Sequence, residues 1–190
     1  FLDVPRPGHA DFVARTKYQG FTDYRGSGHF SGRVTVGLVA AGALAKKLIA
    51  PATVESEILE IGGERDWEKV LDEAVADKDS LGGIIECRAK GLPVGLGEPF
   101  FDSTEALLSH AIFAVPATRG IEFGLGFPAA RWRGSQHNDP ILAADGTTQT
   151  NNCGGINGGI TNGNPLIFRV AIKPTSSIGR PQSTLNFRTG

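Results

Sequence analysis

The chain has 190 residues, 40% of them hydrophobic and 21% charged, which is the make-up of one globular domain with a sizeable core. A net charge of −1 from 19 Lys+Arg against 20 Asp+Glu argues against a polycationic nucleic-acid binder. The longest apolar run, residues 34–45, is shorter than the roughly 20 residues that span a bilayer. Only Cys87 and Cys153 are present, far apart and without metal-ligand spacing, so a disulfide scaffold is not expected and a reducing compartment is. No signal-peptide pattern opens the chain, and the cytoplasm is the expected location. Methionine is absent even at position 1, so the sequence reads as a piece of a longer chain.

In chain order, residues 1–30 read as loop and short extended pieces, broken by Pro5, Pro7 and several glycines. Residues 32–49 predict a helix with Ser31 as N-cap, an apolar face of Leu38, Ala41, Ala45 and Leu48, and Pro51 as its stop. Residues 54–61 alternate like a half-exposed strand. Residues 66–76 predict a short amphipathic helix, capped by Asp66, with Trp67, Val70, Leu71 and Val75 on one face. A strand is expected at 83–90, and a helix at 103–115 capped by Asp102 or Ser103. Further strands are expected at 118–125, 166–173 and 183–187. Residues 145–164, rich in Gly, Asn and Thr, show little periodicity and read as a functional or a disordered loop. This mixture predicts an α+β layered fold in a single domain over residues 1–190.

Charge is unevenly spread. Residues 1–50 carry seven Lys/Arg against three Asp/Glu, and residues 106–190 repeat that ratio, with the acidic excess between them. Two basic flanks suggest an anionic ligand held from both ends. The stretches RPGHAD at 6–11 and DYRGSGHFSGR at 23–33 concentrate arginines, histidines, serines and glycines. Glycine lets backbone approach a ligand, arginine grips carboxylate or phosphate, and histidine moves protons near neutral pH. A lone His9 is more often a surface or structural residue, but Arg6 and Asp11 beside it are placed to hold an anion and orient the ring. Arg33 behind a capping Ser31 is commonly only a solvated side chain, although a helix start also suits phosphate. KPTSS at 173–177 offers a cation, three hydroxyls and free amides; as an isolated string it is more often a strand exit. His110 reads as structural, His137 as a loop residue, Cys87 as core, and Glu98 as part of a Gly/Pro turn. No phosphate-binding P-loop, nucleophile elbow, HExxH or CxxC motif is present, which removes those chemistries.

These two stretches and KPTSSI at 173–178 occur together with GLPVGLGEP at 91–99, RGIEFGLGF at 119–127, RGSQ at 133–136 and TNNCGGINGGI at 150–160. In this order, over nearly the whole chain, the set resembles the chorismate synthases. The resemblance implies helices sandwiched between antiparallel β-sheets, a homotetramer, and a reaction on a small molecule, not on nucleic acid or at a membrane. That reaction is the 1,4-anti elimination of phosphate from 5-enolpyruvylshikimate-3-phosphate to chorismate, with reduced FMN, which some members reduce themselves with a nicotinamide cofactor. It implies that His9 is one of two acid–base histidines, and that Arg6, Arg33 and Ser31 bind substrate. The flavin would be held by His29, Phe30, Ser31, Pro116, Ala117, Gly158, Lys173, Pro174, Thr175, Ser176 and Ser177. His29-Phe30-Ser31 departs from the Arg-Ser-Ser common in the family, so backbone contacts are the safer expectation there. The family is longer at both ends and between Ala50 and Leu92, with its other catalytic histidine in the N-terminal extension. A non-catalytic flavin- or phosphate-binding module of the same fold therefore stays open as the alternative.

Overall fold

In the segment Leu166–Ile172, Leu166, Phe168 and Val170 are buried and alternate with Ile167, Arg169 and Ala171. This period of two makes a central strand with one apolar and one polar face. A computed structural model describes every residue except Phe1, Tyr24 and Gly26, so two positions of the 23–33 stretch lie outside the described residues. The strands are β1 (Thr53–Ile61), β2 (Gly83–Lys90), β3 (Thr118–Phe123), β4 (Ile156–Asn157), β5 (Ile160–Thr161) and β6 (Leu166–Ile172). Four of them form an antiparallel sheet in the order β1-β2-β6-β3.

On the apolar face Phe168 stands opposite Cys87 on one side and Phe123 on the other, its ring centroid 5.8 Å from that of Phe123. Helix α4 (Thr104–Phe113), numbered in chain order after α1 (Asp11–Lys17), α2 (Val36–Leu48) and α3 (Glu68–Ala76), lays Leu108 and Ile112 over this face. Ser103 caps α4, its hydroxyl accepting from Ala106 N at 3.1 Å, which decides between the two candidate caps. The other face carries a charged row in register, Glu57–Glu86–Arg169–Glu122. Glu86, only 3% exposed, accepts from Arg88 Nε at 2.6 Å and Arg169 Nε at 2.8 Å.

Several expectations are corrected. The first 30 residues hold a helix, α1, whose backbone starts where Asp11 binds back to Arg6 N at 2.9 Å. The Ser31 hydroxyl accepts from Arg33 N at 3.3 Å, but it caps a 3₁₀ turn (Gly32–Thr35), and α2 starts only at Val36. No residue of α2 is buried: Leu38 and Leu48 of its expected inner face are 53% and 84% exposed. α3 begins at Glu68 with no side-chain cap from Asp66. It turns Trp67, Val70 and Ala74 inward while Leu71 and Val75 are exposed. The small Ala74 permits close approach, so the face is set by fit and not by residue size. No strand forms at 183–187; that tail lies against the start of the chain, with Phe187 N donating to Asp3 O at 2.8 Å.

The 145–164 segment is folded, with the β4–β5 hairpin at its centre. Asn151 accepts from Gly155 N at 2.8 Å and donates to Pro165 O at 2.7 Å, so it shapes the turn. Asn152 donates to His137 O at 3.0 Å. The hairpin docks on the 95–104 loop through Gly95 N to Thr161 O and Thr104 N to Gly159 O. Among the described residues the sheet content is thus one four-stranded sheet and this hairpin.

Candidate functional site

The site begins with a turn that only glycine adopts easily. Gly8 has φ +70°, and a Cβ there would stand 2.8 Å from Ser176 Oγ. Its carbonyl accepts from that same hydroxyl at 2.8 Å, which staples the 6–11 loop to the segment following β6. Lys173 Nζ donates to Ser176 Oγ at 2.6 Å, and Lys173 N donates to Ala117 O at 2.9 Å. Ser80 Oγ fixes the same turn from below through Thr175 O at 2.7 Å.

His9 lies across this junction. Its Nδ1 is 3.1 Å from Pro7 O and its Nε2 is 2.9 Å from Ser177 Oγ. Arg6 is held by Asp11 through Nε to Oδ2 and Nη2 to Oδ1, both 2.8 Å, and donates to Ser27 Oγ at 3.1 Å. The Arg6 bond, ahead of a smaller opposing burial effect, holds the Asp11 carboxyl below the usual carboxylate range. Asp11 in return raises the Arg6 guanidinium. Beside this group opens a cleft of about 800 Å³, lined among others by Arg6, His9, Ser176, Ser177, Gln182 and Thr184. A smaller hollow of about 230 Å³ lies between Tyr18, Phe21, Ser27, His29 and Phe30. Hydroxyls, an imidazole and a fixed guanidinium on the cleft wall, with the Lys173 ammonium behind Ser176, form a donor set for a phosphorylated or carboxylated ligand, although the Asp3 carboxylate shares that wall.

The chorismate synthase family model matches residues 1–190. The chain belongs to the chorismate synthase family. It is 60% identical over 189 residues to the chorismate synthase of Chitinophaga pinensis, covering 99% of this chain and 57% of that protein. Against the chorismate synthase of Korarchaeum cryptofilum it is 47% identical over 213 residues, covering 96% and 59%. A crystal structure of a chorismate synthase superposes with a TM-score of 0.75 at 29% identity, covering 85% of this chain and 61% of that one. The fold is therefore the α+β fold of the chorismate synthases. The chain spans a little under three-fifths of the length of these curated relatives. Among the described residues no helix is long and apolar enough to cross a membrane.

Within this one chain the residues that the family pattern singles out fall into three groups. Arg6, His9, Lys173, Thr175, Ser176, Ser177 and Ala117 meet at the end of β6 that Ile172 closes. Ala117, with φ +71°, already uses its carbonyl on Lys173. His29 and Phe30 adjoin this group through Ser27, the shared partner of Arg6. Their rings pack at 4.4 Å between centroids, and Tyr18 meets His29 edge-on at 6.3 Å. Arg33 is exposed and folds back on Ser31, its Nε donating to Oγ at 3.1 Å.

Gly158 stands apart. It lies in the β4–β5 turn, which hangs from the Leu166 end of β6 through Ile167 N to Gly154 O. Lys173 follows the other end, about 20 Å away along the strand. The bonds around Cys153 also belong to that far end: Asp139 accepts from Thr150 Oγ1 at 2.6 Å, Asn152 N at 2.8 Å and Cys153 N at 2.9 Å. Burial pushes the Cys153 thiol up, and Asp139 raises it further, so this cysteine is held as a thiol. His110 is exposed on α4. Asp11 and Ser27 lie within the two motif stretches, but their grip on Arg6 is not marked out by the sequence.

Proposed function

We propose that the protein to which this chain belongs is a chorismate synthase acting on 5-enolpyruvylshikimate-3-phosphate with reduced FMN. The observation that carries this reading is the His9–Ser177 contact, because it joins the RPGHAD and KPTSS segments at the wall of one large cleft. The donor set fits the cofactor. Lys173 and the hydroxyls of Thr175 and Ser177 suit its phosphate and ribityl oxygens, with Ser176, whose hydroxyl is bound to Gly8 O, bracing the turn that presents them. The reduced flavin supplies the electron density that makes loss of phosphate from the substrate possible.

The chain's own residues do the remaining work. Arg6, fixed by Asp11, contributes positive potential at the cleft wall, where the substrate carries a phosphate and two carboxylates. Arg33 and Ser31 add a second cationic point at the start of the 3₁₀ turn before α2. His9 holds or accepts a proton at Nε2 on the cleft side. His29 and Phe30 offer an aromatic edge at the neighbouring hollow, and the Pro116 and Ala117 backbone borders the turn that carries Lys173. Gly158 joins the same cofactor only if a second copy of the chain brings its hairpin there. Exposed Val36, Leu38, Val39, Leu44 and Leu48 on α2 support burial against another surface, in keeping with a cytoplasmic homotetramer of single-domain subunits. The test is phosphate release from the substrate with photoreduced FMN. Release that requires both flavin and His9 is expected, and release without flavin overturns the reading.

A further inference from the structure

The two ring nitrogens of His9 face partners of different kinds. Pro7 O is a carbonyl and can only accept, so Nδ1, 3.1 Å away, must carry a hydrogen. Ser177 Oγ, 2.9 Å from Nε2, can donate or accept. In the neutral ring the only consistent assignment is Nδ1–H to Pro7 and Ser177 O–H to Nε2. The opposite tautomer would set the Nδ1 lone pair against the carbonyl lone pairs. Ser177 is exposed at the cleft, whereas His9 is half-buried behind it.

Resting on the function proposed above, we propose that Ser177 is a positioning residue of His9: with the Nδ1–H form set by Pro7 O, the Ser177 hydroxyl donates to Nε2, holds the ring in place and links Nε2 to the cleft. A protonated His9 donates Nε2–H to Ser177 Oγ, and the serine hydrogen then turns toward the cleft. When that hydrogen passes to an acceptor there, the Nε2 proton moves onto Oγ. The serine ends with one hydrogen, the ring ends neutral, and the acceptor gains one proton. The neighbouring Ser176 cannot replace it, because its hydroxyl is committed to Gly8 O and receives Lys173 Nζ. The assignment extends the role of Ser177 beyond holding a cofactor to orienting Nε2 of His9 and carrying its proton to the cleft.

The test is ¹⁵N NMR of the imidazole in the protein, Ser177→Ala and Ser177→Thr, with the neutral ring as the state observed. The protein should show a protonated-type Nδ1 resonance and an unprotonated-type Nε2 resonance. Ser177→Ala should keep the Nδ1–H resonance but move Nε2 toward that of an unbonded ring nitrogen, and Ser177→Thr, which keeps the hydroxyl, should restore the original pattern. An Nε2–H ring in the unsubstituted protein, or an alanine variant with an unchanged Nε2 resonance, overturns the proposal. Reduced-FMN binding is titrated on the same samples. Absent binding in the unsubstituted protein would count against the proposed function alone, since the tautomer is read without any ligand.

Discussion

Ser176 donates its hydroxyl to the Gly8 carbonyl at 2.8 Å across 168 positions of sequence. That bond closes the gap between the loop that carries His9 and the turn that carries Lys173, and the tightness of the contact is what demands glycine at position 8. Gly8→Ala should therefore cost about 1–3 kcal/mol, from a left-handed backbone and a Cβ crowding Ser176. Thermal unfolding checks the cost, and crystallography of the variant should show the His9–Ser177 contact opened.

Asp11→Asn removes a charge from a half-buried pair whose side chains are 13% and 23% exposed. Values for such a site fall between those of surface and buried pairs, so a loss of about 1–3 kcal/mol is expected in urea unfolding at neutral pH. The sign in pH follows from the direction of the shift. The Asp11 carboxyl is depressed in the folded protein, so its contribution is complete above the ordinary carboxylate value of about 3.9 and is lost as pH falls below it. The difference between the variant and the unsubstituted protein should shrink toward acid. A difference that grows there would reverse the assignment.

Asp139→Ala should release the turn at 150–153, which it holds by three hydrogen bonds. Stranded donors cost about 1–3 kcal/mol. Hydrogen exchange at Asn152 and Cys153 should quicken. Alkylation of Cys153 should also quicken, because loss of the carboxylate lets the raised thiol fall.

Arg33→Ala should raise the dissociation constant of the substrate tenfold or more, the equivalent of about 1.5–3 kcal/mol for a charge-assisted contact, with FMN affinity little changed. Calorimetric titration with each ligand separates the two. Equal loss for flavin, with substrate unaffected, would move Arg33 out of the substrate site.

The parts of the fold that were legible in the sequence are those where one local signal dominates. The strands expected at 83–90 and 166–173 lie within a residue of those formed, and Ser103 is one of the two candidate caps. Where a side chain served a distant partner, local reading failed. Asp11 looked like part of a loop because Pro5, Pro7 and Gly8 precede it, yet its bond to Arg6 N sets the start of α1. α3 is rotated because little Ala74, not Val75, is the residue that fits inward. The chemistry of the site was legible as residue types in RPGHAD and KPTSS. Their meeting was not, because it depends on β6 delivering Lys173 to the end of the sheet where Ala117 and Gly8 wait. Gly158, grouped with them by the family pattern, lies at the other end of that strand.

The most direct test of the account is the rate of phosphate release with photoreduced FMN by the protein and by its His9→Ala variant, the fold of each verified by circular dichroism. Positioned acid–base groups contribute about 10²–10⁴-fold, so a loss of that size with an intact fold and retained substrate binding is expected. Turnover by His9→Ala equal to that of the unsubstituted protein would contradict the placement of the reaction at the His9–Ser177 cleft.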